Sequence, residues 1–359
     1  MKNKKGSGIL GGLVILVLGI GLLWYNEGRT VKAARGIIQA EKEFKEVSST
    51  KIDSKNDGKL VATSGKLVLP EEETTDSTFG VSAKTAKLLR KVETYQWKES
   101  CSTDDNDKET CTYKKEWDDD LTDSSEFKEA GHDNPTSSKY EERIFIADPV
   151  KVNEFELNSD QIKKLSAGEK IVDIKDIDEQ TGLHKEGYYY TDVKENTPEI
   201  GNVRISFYYN NYKTVSVLAV QSDNSFTTYV SKTGYKINEV VEGKHSGKEI
   251  LQNLSDSNKT WKWILRIAGT FLVIAGLGSL VSPLQRLANY IPIVGTIFGW
   301  ISGLAVFFVG LAISLIVIAI AWFRYRPIMS ILIIAAGIGI YVLSRYLNKD
   351  KKETKEQIQ

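Results

Sequence analysis

Two cysteines, Cys101 and Cys111, are the residues whose type and spacing point most directly to chemistry. Nine residues stand between them in a polar stretch, between runs that read as strands. That spacing suits a disulfide closing a hairpin in an oxidising compartment; two free thiols on a loop are the alternative. Without a clustered histidine the pair is a poor zinc set. The turn between them carries Asp104, Asp105, Asp107 and Glu109, carboxylates of the kind that bind calcium. Thr110, however, stands where an EF-hand loop needs glycine, and no bidentate glutamate follows at the required distance. The turn therefore reads as a solvated hairpin tip, as does the acidic run Trp117 to Asp120. His132, His184 and His245 are scattered among polar residues, with no nucleophile or metal spacing near them. GKHSGK, from Gly243 to Lys248, has three residues between its glycines where a phosphate loop needs four. GSGILG gives a formal dinucleotide pattern at Gly6, Gly8 and Gly11, but follows no strand. The expectation is a protein that is not an enzyme, with no catalytic residue, no metal and no cofactor.

The elements that hold these residues divide sharply by charge. From Asn26 to Thr260 there are 34 Lys+Arg and 44 Asp+Glu, a balance of −10, while the remainder holds 13 and 3, a balance of +10. The overall balance of +0 thus conceals an acidic polar domain and basic flanks. An acidic domain repels phosphate backbones, which argues against nucleic acid as a partner.

The flanks are apolar. Lys2, Lys4 and Lys5 precede an uncharged run whose heart is Ile9 to Tyr25. About 18 helical residues span roughly 27 Å, enough for a bilayer core of about 30 Å. The run is read as an uncleaved anchor rather than a signal peptide, with its basic start in the cytoplasm. Ile264 to Pro283 forms a second span, whose one charge, Arg266, is near enough to its end to snorkel. Leu287 to Phe323 is too long for a single crossing. It is divided into an interfacial or re-entrant piece, Pro283 to Ser302, and a third span, Gly303 to Phe323, with a tight helix pair as the alternative. Ile328 to Leu347 is the fourth span, and the lysines that follow form a cytoplasmic tail. The basic turn Arg324 to Arg326 then falls on the wrong side for the positive-inside rule.

Between the flanks the pattern is mainly β. Strands are expected over Lys59 to Leu69, Leu88 to Glu99, Thr112 to Trp117, Thr214 to Gln221 and Ser225 to Val230, with Val203, Ile205 and Phe207 alternating in another. An amphipathic helix is expected through Val47, and a short helix over Asp160 to Leu165 capped by Ser159. The fold class is therefore an α+β membrane protein, with a mainly β extracytoplasmic or lumenal domain inserted between one N-terminal and three C-terminal transmembrane helices. The domains are 1–25, an anchor; 26–260, the β domain; 261–347, the three-span membrane domain; and 348–359, the tail.

Small residues at a period of four suit close helix packing: Gly8 with Gly12, Gly295 with Gly299 and Gly303, and Ala335 with Gly339. No Asp, Glu, Lys or His falls deep in a span, so the relays of a pump or carrier are not expected.

Several motifs, in order along most of the chain, together resemble the transmembrane protein 43 (LUMA) family. They are WYNEGR at Trp24, VETYQW at Val92, YKKEW at Tyr113 and FKEAGHDNPTS at Phe127, followed by PEIGNVRISFYY at Pro198, KTW at Lys259 and YRP at Tyr325. The resemblance implies one N-terminal span, a large lumenal domain and three C-terminal spans. It also implies a multi-pass scaffold that self-associates and organises membrane proteins, in the endoplasmic reticulum and inner nuclear membrane of animals. A bacterial chain would have the cell membrane as its home. The expected partners are the lipid bilayer, further copies of the chain and other membrane proteins. A membrane-anchored sensor, or an enzyme with an extracytoplasmic site, is the alternative function.

Overall fold

The computed structural model describes residues 7–103, 109–172, 182–185, 187–191, 197–288 and 292–328, together with 331 and 339. The chain is α+β, and it falls into two compact units.

The first unit is helical and takes residues 1–42, 230–235 and 251–359. Helix α1 runs unbroken over Ser7–Glu43. The amphipathic segment expected after the anchor is thus a continuation of the anchor helix. It stops short of Val47 because Lys45–Glu46 pairs in parallel with Leu60–Val68, and the strand ladder takes the backbone donors that a further helical turn would need. Helix α3, Gly247–Ala288, contains the second expected span and carries Pro283 inside it. Its start is fixed by a capping box: the Ser246 hydroxyl accepts from the Glu249 amide, and the Ser246 amide donates to the Glu249 carboxylate at 2.7 Å. Helix α4, Pro292–Tyr325, contains the third. The stretch 283–302, expected as one interfacial piece, is divided between the end of α3 and the beginning of α4. Of the fourth expected span, 328–347, only residues 328, 331 and 339 are among those described, and the tail lies outside them. Among the described residues, three helices are long and apolar enough to cross a membrane, one N-terminal and two C-terminal.

Helices α1 and α3 pack antiparallel along a small-residue seam. A Cβ on Gly12 would meet Ser279 at 2.8 Å, one on Gly19 would meet the Val273 amide at 2.8 Å, and one on Gly276 would meet the Leu16 amide at 2.6 Å. The backbones can come this close only where one of the two facing residues lacks a side chain. Gly310 on α4 approaches Ile274 of α3 in the same way, at 2.6 Å. Because α3 reverses α1 and α4 reverses α3, Glu27, Arg266 and Trp322 fall at one end of the bundle. Beyond that end α1 and α3 continue as a polar two-helix stalk, with Val31, Ala33, Ile37, Ala40 and Leu251 buried at helical spacing. A turn at 231–235 is fastened to α1 by the Thr233 hydroxyl, which donates to the Lys32 carbonyl, and by Gln39, which accepts from the Lys232 amide.

The second unit, residues 43–229 and 236–250, is β-rich. Its first sheet runs Ser225–Thr227, Thr214–Ser222, Leu60–Val68, Lys151–Val152, Phe155–Glu156, with Glu239–Glu242 added on Thr214–Ser222. Val61, Val152, Phe155, Val215, Val217 and Phe226 form its core. The second sheet runs Gly182–Lys185, Tyr188–Thr191, Val203–Tyr209, Lys87–Thr103, Glu109–Asp118. Leu88, Val92, Tyr189, Val203, Ile205 and Phe207 alternate onto its buried face with Phe79. The short helix α2, Ser159–Lys164, is capped by Asn158, not by Ser159 as expected. The Asn158 side chain accepts from the Gln161 amide and the Gln161 side chain answers, so the box is closed one residue earlier.

Candidate functional site

At the end of the apolar run of α1 the buried stripe turns polar. Asn26 and Glu27 are fully buried, and Thr30 nearly so. Glu27 is the centre of the cluster. Arg266 of α3 donates from Nε to its Oε1 at 2.6 Å, and Trp322 of α4 donates from its indole to Oε2 at 3.0 Å. Asn26 donates to the Lys262 carbonyl at 2.9 Å, and Arg29 donates to Asn258 Oδ1 at 3.2 Å. Asn258 returns a bond from Nδ2 to the Thr30 carbonyl at 3.1 Å. The next turn of α1 lies against the end of α4: Gly28 leaves room for the Tyr325 ring, and Arg35 donates to the Tyr325 carbonyl. The Arg266 side chain is only 12% exposed, and its charge is met by Glu27 inside the bundle. Sequence reasoning missed Glu27 because it stands just outside the apolar run. The signal that could have found it is the single arginine of the second span, which needs a partner of opposite charge.

The chemistry of this cluster is that of a joint. A buried carboxylate with both oxygens engaged by donors on two other helices fixes helix order and register, and its charge is compensated in place.

The family-like motifs of the β unit meet around one hairpin. Lys87–Thr103 and Glu109–Asp118 pair antiparallel, with Cys101 opposite Cys111 and their sulfurs bonded. The loop that contains Phe127 to Ser137 is strapped across this hairpin. Asn134 accepts from the Trp97 amide at 2.7 Å and donates to the Trp97 carbonyl at 2.9 Å. His132 stacks on Tyr113 at 3.8 Å and meets Trp97 edge-on. Glu99 accepts from the Tyr113 hydroxyl and from the Lys128 amide, at 2.5 and 2.7 Å, and in that order these bonds hold its carboxyl below the usual range. Farther along the sheet, Arg204 grips Glu93 with two bonds of 2.8 and 2.7 Å and lies over the Tyr188 and Trp117 rings. The turn before it needs Gly201, whose φ is +93°.

The remaining candidates are dispersed. His245 bonds through its backbone to Ser216 and Ser64, and the side chain of His184 lies outside the described residues. Asp104, Asp105 and Asp107 are likewise outside them. Asp118, Asp119 and Asp120 are close enough to share an ion, but Asp118 is paired with Lys98 at 2.7 Å and Asp119 with Lys91 at 3.0 Å. Of the packing candidates, Gly12 lies in the α1–α3 seam, and Gly303 and Gly339 have no described residue within 4 Å of a Cβ position. Gly8, Gly295 and Gly299 are helical, with surroundings outside the described residues, as is Ala335 itself.

Three apolar helices of bilayer length, joined at one end by a buried charge cluster and continuous with a polar β unit, define an integral membrane protein. The chain belongs to the family described as Transmembrane protein 43, whose model matches residues 94–327. It is 28% identical to Transmembrane protein 43 of Rattus norvegicus, covering 98% of this chain and 92% of that protein. The Drosophila melanogaster homolog is also 28% identical, with 92% of each chain covered, and Homo sapiens Transmembrane protein 43 is 28% identical over 94% of this chain and 89% of its own. No solved structure matches.

Proposed function

We propose that the protein is a multi-pass membrane scaffold: a non-catalytic pillar that holds an acidic β domain at the membrane surface for other membrane proteins to bind. The observation that carries the reading is the joint at Glu27. One carboxylate fastens three helices, and α1 and α3 continue past it without a break. Such a joint resists relative helix movement, which favours a structural role over a carrier that must alternate between states. The proposed topology keeps the lysine-rich start in the cytoplasm and the β domain in the lumen or outside the cell, followed by a fourth span that returns the C-terminus to the cytoplasm. The bonded pair Cys101–Cys111 suits an oxidising compartment. In an animal cell the home would be the endoplasmic reticulum and inner nuclear membrane, and in a bacterium the cell membrane. The open helix surface around Gly303 is where copies would associate.

Crosslinking in native membranes tests the reading. Recovery of homo-oligomers or of stable membrane partners is expected, and a strictly solitary chain would overturn it. Label-accessibility mapping should place Lys66 and Lys115 on the face opposite Lys2.

A further inference from the structure

An apolar groove of about 660 Å³ lies between the membrane halves of α3 and α4. Ile267, Phe271 and Ile274 form one wall, and Phe307, Leu311 and Leu315 the other. At one end of the groove is Arg266, its guanidinium 5.0 Å from the Trp263 ring centre and 5.8 Å from that of Trp322. Lys262, one helical turn before Arg266, is within electrostatic reach of Arg266, Arg326 and Lys259, and of the carboxylate of Glu27. Both Glu27 oxygens are already engaged. Lys259 is answered by Asp256 at 2.9 Å, and among the described residues the formal charges of Lys262, Arg266 and Arg326 outnumber that of Glu27, so this end of the groove is positive, at the depth marked by two tryptophans, where amphipathic rings favour the headgroup layer.

The groove thus asks for a ligand with two parts, a hydrocarbon body and an anionic end. A helix of apolar residues would fill the walls and leave the cations unanswered. A free phosphate would answer the cations and leave the walls empty. The volume falls within the range of about 300–1,000 Å³ usual for ligand sites. Arg324 and Arg326 stand at the same end as Arg266 and add to the positive field there.

We propose that this groove is a binding site for an anionic membrane phospholipid, with one acyl chain between α3 and α4 and the headgroup phosphate against Arg266 and Lys262. The remaining donors of the Arg266 fork, beyond the Nε held by Glu27, are suited to a phosphate oxygen. The proposal is independent of whether the β domain recruits partners.

The test uses the full-length protein in phosphatidylcholine vesicles. The probe is phosphatidylglycerol carrying a photoactivatable group on its acyl chain, compared with a phosphatidylcholine probe bearing the same chain. Labelling should fall on peptides that contain Ile267 to Ile274 and Phe307 to Leu315, several-fold stronger with the anionic probe. K262Q and R326Q should each weaken that preference roughly fivefold while leaving the Glu27–Arg266 pair in place. L311W, which fills the groove, should abolish labelling by both probes in protein that retains its elution volume and helicity. Excess inorganic phosphate should not compete. Equal labelling by the two probes, labelling only outside the groove, undiminished labelling in L311W, competition by phosphate, or a cysteine crosslink seating residues 328–347 in the groove would each overturn the proposal.

Discussion

The indole of Trp322 donates to Glu27 at 3.0 Å, from a position 295 residues away in the chain, and Arg266 holds the other oxygen of the same carboxylate. The cluster is one unit, so its members should not contribute independently. Glu27→Gln keeps the shape but leaves the Arg266 charge buried without an anion, and the expected loss is about 3–5 kcal/mol. Trp322→Phe removes a single bond to a charged group and should cost about 1.5–3 kcal/mol. The double variant Glu27→Leu with Arg266→Leu should recover much of the loss, because no charge remains to be compensated. Denaturant or thermal midpoints in lipid nanodiscs read these differences. If Glu27→Gln is no worse than Glu41→Gln, an exposed position on the same helix, the joint does not exist.

Close backbone approach, rather than glycine content, should govern the α1–α3 seam. A methyl group at Gly276 meets the amide and Cα of Leu16 at 2.6 and 2.8 Å, and backbone cannot step aside. Gly276→Ala should therefore push the helices apart, at about 1–3 kcal/mol. Nothing is within 4 Å of a Cβ at Gly21, so Gly21→Ala should be neutral or stabilising by up to about 1 kcal/mol through helix propensity. Equal damage from the two substitutions would show that the seam is misplaced.

The hairpin tip should depend on its cross-strand bond. The bonded residues are 10 apart in sequence, and closing so short a loop limits the unfolded tip by about 2–3 kcal/mol. Unreduced protein should bind no maleimide, and reduced protein should bind two per chain. Cys101→Ser should speed amide exchange along Glu109–Asp118 and leave Thr214–Ser222 of the other sheet unchanged, since the tip stands apart from the first core. Rapid labelling without reductant would contradict this.

The legible parts of the structure were local ones. Cys101 and Cys111 could be paired because the strands between which they stand are adjacent in the chain, and hydropathy alone located the three described membrane helices. Alternation along Val203–Tyr209 marked a strand, but not that its neighbour is Lys87–Thr103, because register between distant strands is set by the packed face as a whole. The helix seam was hidden for a different reason. Its small residues recur every seventh position, Gly12 with Gly19 and Gly269 with Gly276, and a search for a period of four finds Gly12 but passes over Gly19, Gly269 and Gly276. Glu27 was given no role from the sequence, since nothing near it there shows that Arg266 and Trp322 arrive beside it.

Acid should release the loop at Phe127 to Ser137 from the hairpin before it touches either core. The Tyr113 hydroxyl and then the Lys128 amide hold Glu99 as the carboxylate, so its folded pKa lies below the ordinary 4.5. A depressed carboxylate contributes stability that is fully present above the unfolded pKa and is lost as pH falls through the lower folded value. The tie should therefore be intact at pH 7 and down to about 5, and should fail only below the usual carboxylate range. The Lys128 amide proton, whose donor is 2.7 Å from Glu99 Oε2, reports it directly in an NMR titration. Its shift should move upfield as the carboxylate is protonated, and in Glu99→Gln this acid step should be missing while the resonances of Val215 and Val217 stay in place. A Lys128 shift that titrates unchanged in Glu99→Gln would assign the step to another group and remove Glu99 as the tether.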